Sequence, residues 1–206
     1  MKTSLEVFIN LMIEFIKRPR QVAALCPETQ KCVQTFLRYI DFASIRSIVE
    51  WGPGTGMLTR YILRHKRENT LYIGIETNPR FFATLQFYSH KFPNTFFYHD
   101  DILKTSLYLS QHELEKADII VSTIPLSFLE YKRIIQLAAR IGEKYLQYIY
   151  ILTLLRGFWP ASIFQENFYN VEIDFCVYNC PPFFLFVASS SKFTPHAPAG
   201  MRAQLF

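Results

Sequence analysis

The sequence predicts a single α/β domain built on an open, mostly parallel sheet, and three observations predict it. From Ile45 onward, short apolar runs alternate with amphipathic segments. One run ends in a glycine cluster, Gly52-Pro53-Gly54-Thr55-Gly56, directly before a helical pattern. The last two apolar runs are separated only by Cys180-Pro181-Pro182 and read as an antiparallel pair. Strands that alternate with helices are joined by crossovers, which cover both faces of a parallel sheet.

The elements follow in order. In SLEVFINLMIEFIK (4–17), Leu5, Phe8, Ile9, Met12, Ile13 and Ile16 recur at helical spacing, and the segment runs into Lys17-Arg18-Pro19-Arg20. A second helix begins near Pro27, with Glu28, Thr29 and Gln30 in its first turn, and runs towards Tyr39. SIVEWG (47–52) is a buried strand, MLTRYILRHK (57–66) a helix, LYIGIE (71–76) a strand and NPRFFATLQFYSHK (78–91) a helix. TFFYHDD (95–101) and ADIIVSTIP (117–125) are strands, EYKRIIQLAARIGEKY (130–145) a helix and QYIYIL (147–152) a fifth strand. YNVEIDFCVYN (169–179) and FFLFVASS (183–190) make the terminal pair, and the remainder lacks periodicity. The expected organisation is a helical extension over 1–44, the α/β domain over 45–190 and a loose tail over 191–206.

Composition bounds the function. The 206 residues are 50% hydrophobic and only 19% charged, which excludes a disordered chain, and a chain of this length buries a sizeable core without staples. The 20 Phe and 12 Tyr exceed the needs of such a core, so many rings are expected near the surface or around a pocket. A net charge of +5 favours anionic partners such as phosphates, nucleic acid or acidic lipid. Cys26, Cys32, Cys176 and Cys180 form no CxxC pair and have no histidine at metal-ligand spacing. They read as free structural thiols, which implies a reducing compartment. No apolar run reaches the roughly 18 to 20 residues of a membrane span, and residues 5–16 lack a secretory cleavage site. The expected location is the cytoplasm, either soluble or peripheral at the inner face of the cell membrane.

The stretch that carries chemistry is Glu50-Trp51-Gly52-Pro53-Gly54-Thr55-Gly56. Glycines between a strand and a helix let the backbone approach a ligand, and the helix start offers free N–H groups to an anion. Glu76 ends the next strand, 22 residues beyond Gly54, where a carboxylate can accept from both hydroxyls of a ribose. A dinucleotide fingerprint needs its third glycine at position 57, which is Met57. The pattern here is G-x-G-x-G, with an acid two residues before the first glycine.

That pattern resembles motif I of the class I S-adenosylmethionine-dependent methyltransferases. The resemblance implies their Rossmann-like fold: a mostly parallel seven-stranded sheet with a C-terminal antiparallel hairpin, here behind an N-terminal helical extension. It implies S-adenosylmethionine as cofactor and no metal. Gly52, Pro53, Gly54 and Gly56 would hold the methionine moiety, Glu50 would orient its ammonium group through water, and Glu76 would take the ribose. Asp101 would sit beside the adenine amino group, with Ile102 against the ring and Asp100 capping the turn. Ser122 would flank the cofactor, and Ser122 and Pro125 would edge the place where the methyl group meets its acceptor.

Finer matches are similar to a subgroup containing ribosomal RNA adenine dimethylases and bacterial phospholipid N-methyltransferases. Ser122-Thr123-Ile124-Pro125-Leu126 is closer to the Ser-Gly-Leu-Pro-Leu of the lipid enzymes than to the Asn-Leu-Pro-Tyr of the RNA enzymes. The segment from Arg18 to Thr29, Gln147-Tyr148-Ile149-Tyr150 and Asn179-Cys180-Pro181-Pro182 also resemble lipid-enzyme segments. Glu28-Thr29 replaces a Ser-Ser pair, and Ala23 and Thr123 each replace a glycine. Three readings follow. The first is N-methylation of a phospholipid head group of the phosphatidylethanolamine type, on an anionic membrane surface met by Lys17, Arg18 and Arg20. On this reading the first helix either lies on the membrane or packs over the cofactor cleft. The second is an adenine-N6 RNA methyltransferase with a nucleic-acid partner, and the third a cofactor-binding protein without catalysis.

Overall fold

The computed structural model describes residues 30–124, 128–150, 160–177 and 182–191. Five strands run parallel: β1 (Ser47–Trp51), β2 (Leu71–Ile75), β3 (Thr95–Tyr98), β4 (Ala117–Ser122) and β5 (Gly142–Tyr150). The hairpin strands β6 (Asn170–Cys176) and β7 (Phe183–Ser189) add antiparallel, giving the order β3-β2-β1-β4-β5-β7-β6. The first helix of the described residues is α1 (Gln30–Leu37). It is followed by α2 (Met57–His65), α3 (Pro79–Lys91), α4 (Thr105–Gln111), α5 (Phe128–Ile141) and α6 (Ala161–Asn167).

Strand alternation divides the core into two layers. On one face Ile48, Tyr72, Val121, Leu146 and Leu185 pack with Val33, Phe36, Leu58, Ile62 and Leu85, which come from α1, α2 and α3. On the other, Val49, Ile73, Ile120, Tyr145 and Phe186 pack with Leu109, Ile135, Ala138 and Phe164 from α4, α5 and α6. β1 is buried along its whole length because it has a strand on each side and helices on both faces. The described part of the first 44 residues joins the same core through Val33, Phe36, Tyr39 and Ile40.

The expected strands and their terminal pair are present, with two departures. The helix read as far as Tyr145 ends at Ile141, and Gly142 opens β5 with no linker. A Cβ at Gly142 would lie 2.7 Å from Ile120 Cδ1, so the backbone closes directly onto β4, and Lys144 and Tyr145 pair with Ile119 and Ile120. The helices α4 and α6 and the 3₁₀ turn Ile102–Lys104 are too short to show a helical period in sequence. The aromatic excess is divided: Trp51, Tyr72, Tyr131, Tyr145, Tyr148, Phe164, Phe183 and Phe186 are among the largest fully buried side chains, while Phe87, Phe96, Tyr169 and Phe175 are exposed, as expected for part of the rings.

A further correction concerns cysteine. Cys176, expected as a free thiol, is disulfide-bonded, and its partner is a cysteine whose side chain lies outside the described residues. A buried strand end holds it in place, and the inference of a reducing compartment from free thiols falls with it. No helix among the described residues is long and apolar enough to cross a membrane. The apolar and basic segment 4–20, the whole segment from Arg18 to Thr29, Pro125, residues 179–181 and the tail from 192 lie outside the described residues.

Candidate functional site

Parallel register brings the carboxyl ends of five strands into one row. Trp51 pairs with Ile75 on one side and Ser122 on the other, Ile75 pairs with Tyr98, and Ser122 pairs with Gln147. From β1 the chain crosses to β2, whereas β4 lies on the opposite side of β1, so the loops after β1 and β4 diverge. Such a switch point is where open α/β sheets leave a ligand crevice. The predicted residues Glu50, Gly52, Pro53, Gly54, Gly56, Glu76, Asp101, Ile102 and Ser122 all lie at or beside this edge.

The glycine loop between β1 and α2 is held from both sides. Gly52 N–H donates to the Ile75 carbonyl and Gly54 N–H to Glu76 Oε2, both at 2.9 Å, while Thr123 Oγ1 donates to the Gly52 carbonyl at 3.0 Å. Gly54 has a φ of +58°, and the nearest atom to a Cβ built there is the Gly52 carbonyl oxygen at 3.8 Å. Its outer side is therefore open to a ligand, and its backbone conformation disfavours any side chain. Gly52 is the opposite case: an added Cβ would strike Ile124 Cγ1 at 2.6 Å. Glu76 also accepts the Asn78 N–H on Oε1 at 2.8 Å, so each carboxylate oxygen holds one loop amide and keeps a second lone pair. Asn78 in turn caps α3 through Arg80 and Phe81, with Pro79 at the first helical position.

Glu50 is fully buried beneath the loop. Its Oε2 accepts from Tyr72 OH at 2.5 Å and from Thr59 Oγ1 at 3.0 Å, while its Oε1 is buried without a partner. Burial pushes its carboxyl up to about 7; the two hydroxyl bonds oppose that rise, and the nearby Glu76 adds to it. The Tyr72 hydroxyl is itself pushed well up, by burial first and by Glu50 second. A half-satisfied buried carboxyl is uncommon in a purely structural role.

The third strand ends differently from the expectation. Asp101, not Asp100, caps the 3₁₀ turn, accepting the Leu103 N–H on Oδ1 at 2.8 Å. Asp100 is an anchor: Tyr108 OH and Lys104 Nζ donate to its Oδ2 at 2.6 and 2.9 Å. Those bonds pull its carboxyl down to about 2. Ile102 is buried in the layer that contains Tyr108 and Leu109. At the end of β4, Ser122 is fully buried. Tyr145 OH donates to Gln147 Oε1 at 2.5 Å, which aims Gln147 Nε2 at the carbonyls of Ile124 (3.1 Å) and Tyr148 (2.6 Å). The start of the loop after β4 is thereby pinned, although Pro125 itself lies outside the described residues.

Tyr72 and Tyr145 were not singled out by sequence, and Thr123 was noted only where it replaces a glycine. Tyr72 pairs with Ile48, two residues before Glu50 on the same face, and only that register brings its hydroxyl to the carboxyl. Thr59 reaches it from the buried side of α2.

With this geometry in hand, the chain was compared with known proteins. No family model matches it. The ornithine lipid N-methyltransferase of Singulisphaera acidiphila is 28% identical over 118 residues, 57% of this chain and 62% of that protein. The chain thus spans less than two thirds of that curated relative. Precorrin-6y C5,15-methyltransferase from Geobacter metallireducens superposes with a TM-score of 0.61 at 14% identity, over 78% of this chain and 88% of the other. The fold is that of the class I methyltransferases. The N-terminal domain of EvdMO1, solved with SAH bound, shares it at a TM-score of 0.52 and 14% identity, over 80% of this chain and 82% of that one.

Proposed function

We propose that this chain is an S-adenosylmethionine-dependent N-methyltransferase acting on the amine of a phospholipid head group of the phosphatidylethanolamine type. The observation that carries methyl transfer is the arrangement of Glu50, Gly54 and Glu76 around the open loop at the switch point of this fold. The acceptor class is supported by the match to an ornithine lipid N-methyltransferase. The chain's own Ser122-Thr123-Ile124-Pro125-Leu126 points the same way.

The residues fit the cofactor. Gly54 leaves room for close approach of a ligand to the backbone. Glu76 has one lone pair free on each oxygen for a pair of ribose hydroxyls. Asp101 is exposed, and only its Oδ1 is engaged, leaving Oδ2 for an exocyclic amine. Glu50 has no exposed surface and acts through its field: a carboxylate beneath the loop favours a cationic ligand above it, and such a ligand favours the carboxylate. S-adenosylmethionine supplies an electrophilic methyl group on a sulfonium to a neutral amine. The loop after β4, tied by Gln147 and by Thr123, fixes the edge where that amine would be held, and positioning is the main source of rate for such a transfer. The reading includes a peripheral place at the inner face of an anionic membrane, met by Lys17, Arg18 and Arg20.

The test is incubation of the protein with methyl-labelled donor, total lipid and total RNA. Label in an amine-bearing lipid supports the proposal. Label in RNA alone replaces it with an RNA methyltransferase, and label in neither, with the donor still bound, replaces it with a cofactor-binding protein.

A further inference from the structure

Beside α5 a cavity of about 350 Å³ opens, lined by Leu103, Arg133, Gln136, Leu137 and Arg140. We propose that it is a phosphate-binding site, separate from the methyl-transfer crevice and independent of that reading.

The argument starts from helix spacing. Positions 133, 136 and 140 recur at i, i+3 and i+7, so they form one stripe along α5. All three are exposed, Leu137 lies buried beside them on the same face, and Ile134, Ile135 and Ala138 on the other side of the helix are buried. The stripe thus offers two guanidinium groups with an amide donor between them, facing a space rather than solvent alone. Guanidinium forks match phosphate oxygens in pairs, which a single ammonium does not.

Neither arginine is neutralised among the described residues. Among the described residues no carboxylate lies within ion-pair distance of Arg133 or Arg140, and the acids on neighbouring segments are engaged elsewhere. Asp100 is held by Lys104 at 2.9 Å and Glu143 by Lys116 at 3.0 Å. Two cations left unpaired at the mouth of one cavity repel each other, and an anion between them relieves that repulsion. The floor is apolar, made by Leu103 and the buried Leu137, which suits a phosphate ester carrying a short hydrocarbon stem. The volume falls at the lower end of the roughly 300 to 1,000 Å³ typical of small-ligand sites. It accommodates a glycerophosphate-sized group.

The same chemistry could be presented by a free phosphate ester or by a lipid head group, and the experiment separates them. The full chain is titrated calorimetrically with inorganic phosphate and with glycerol 1-phosphate, and floated with phosphatidylglycerol or phosphatidylcholine vesicles. Two variants run in parallel: the double variant Arg133→Gln with Arg140→Gln, and separately Lys132→Gln, an exposed cation on α5 that does not line the cavity. The wild type should bind phosphate saturably, and the double variant about tenfold or more weakly, with Lys132→Gln unchanged. Loss of flotation on phosphatidylglycerol in the double variant alone identifies a lipid-borne phosphate. Unchanged flotation with lost binding of the free esters identifies a soluble one. The proposal is overturned if Lys132→Gln weakens binding as much as the double variant does. It is equally overturned if the double variant matches the wild type in both arms. S-adenosylmethionine affinity, measured on the same samples, reports on the methyl-transfer site and should not move.

Discussion

Replacing Glu50 by Gln should change how the stability of this protein depends on pH, and the structure gives both the window and the size. In the folded state the carboxyl is pushed from its ordinary 4.5 up to about 7, because burial opposes the charge more than Tyr72 and Thr59 support it. Between these two values the unfolded chain has released the proton and the native chain still holds it. Stability therefore falls as pH rises through that window, and the loss is complete above about pH 7. A rise from 4.5 to about 7, at roughly 1.36 kcal/mol for each tenfold in proton affinity, corresponds to a loss of about 3 kcal/mol. Glutamine keeps an acceptor for the two hydroxyls and removes the titration. Urea unfolding of wild type and Glu50→Gln at a series of pH values isolates the effect, because every other group cancels in the difference. The variant should gain about 3 kcal/mol on the wild type from pH 4.5 to above 7, with no further change at higher pH. Parallel stability curves across that range would refute the burial argument. Saturating S-adenosylmethionine, if the proposed function is right, should shrink the difference by favouring the ionised carboxyl.

Three further outcomes are expected. Gly54→Val, which adds a branched side chain at a positive φ on the open side of the loop, and Glu76→Ala, which removes the acceptor of the Gly54 N–H, should each abolish calorimetric binding of S-adenosylmethionine in a folded protein. Asp101→Ala should weaken cofactor binding more than Asp100→Ala, whereas Asp100→Ala should lower the melting temperature more, because Asp100 ties Tyr108 and Lys104. Gln147→Leu removes the donor to the Ile124 carbonyl and should reduce methyl transfer while leaving cofactor affinity unchanged, read by single-turnover transfer beside a binding titration.

What sequence could reveal here was set by the range of each interaction. The alternation of apolar runs gave the strands because burial on both faces leaves a local trace, as in β1 and β4. The glycines and Glu76 were legible because a positive φ and a strand-end acid are local requirements with fixed spacing. Pairing partners were not. Nothing near Glu50 in the chain announces Tyr72 or Thr59, which reach it through strand register and helix packing. The roles of Asp100 and Asp101 were partly exchanged, since which of two adjacent acids caps a 3₁₀ turn depends on Tyr108 arriving from α4 to take the other. The disulfide of Cys176 was invisible for the same reason: spacing of four residues in an apparent strand does not say what lies opposite.

The departure at Thr123 illustrates how such long-range requirements can reverse the meaning of a substitution. By sequence it stands where the lipid enzymes have glycine, which reads as a loss at the acceptor edge. In the fold its hydroxyl donates to the carbonyl of Gly52, and the next residue, Ile124, fills the space a Cβ on Gly52 would need. Ile124 is fixed in turn by Gln147, whose amide is oriented by Tyr145. The loop after β4 is therefore bonded to the first glycine of the loop after β1, while Glu76 after β2 holds the second. Glycine at position 123 could not make that bond. Glycine adopts the positive φ at Gly52, Gly54 and Gly56 without strain, and three strand ends hold the loop in that one conformation. The residue that weakens the family pattern is thus one of the ties that join the loop after β1 to the loop after β4.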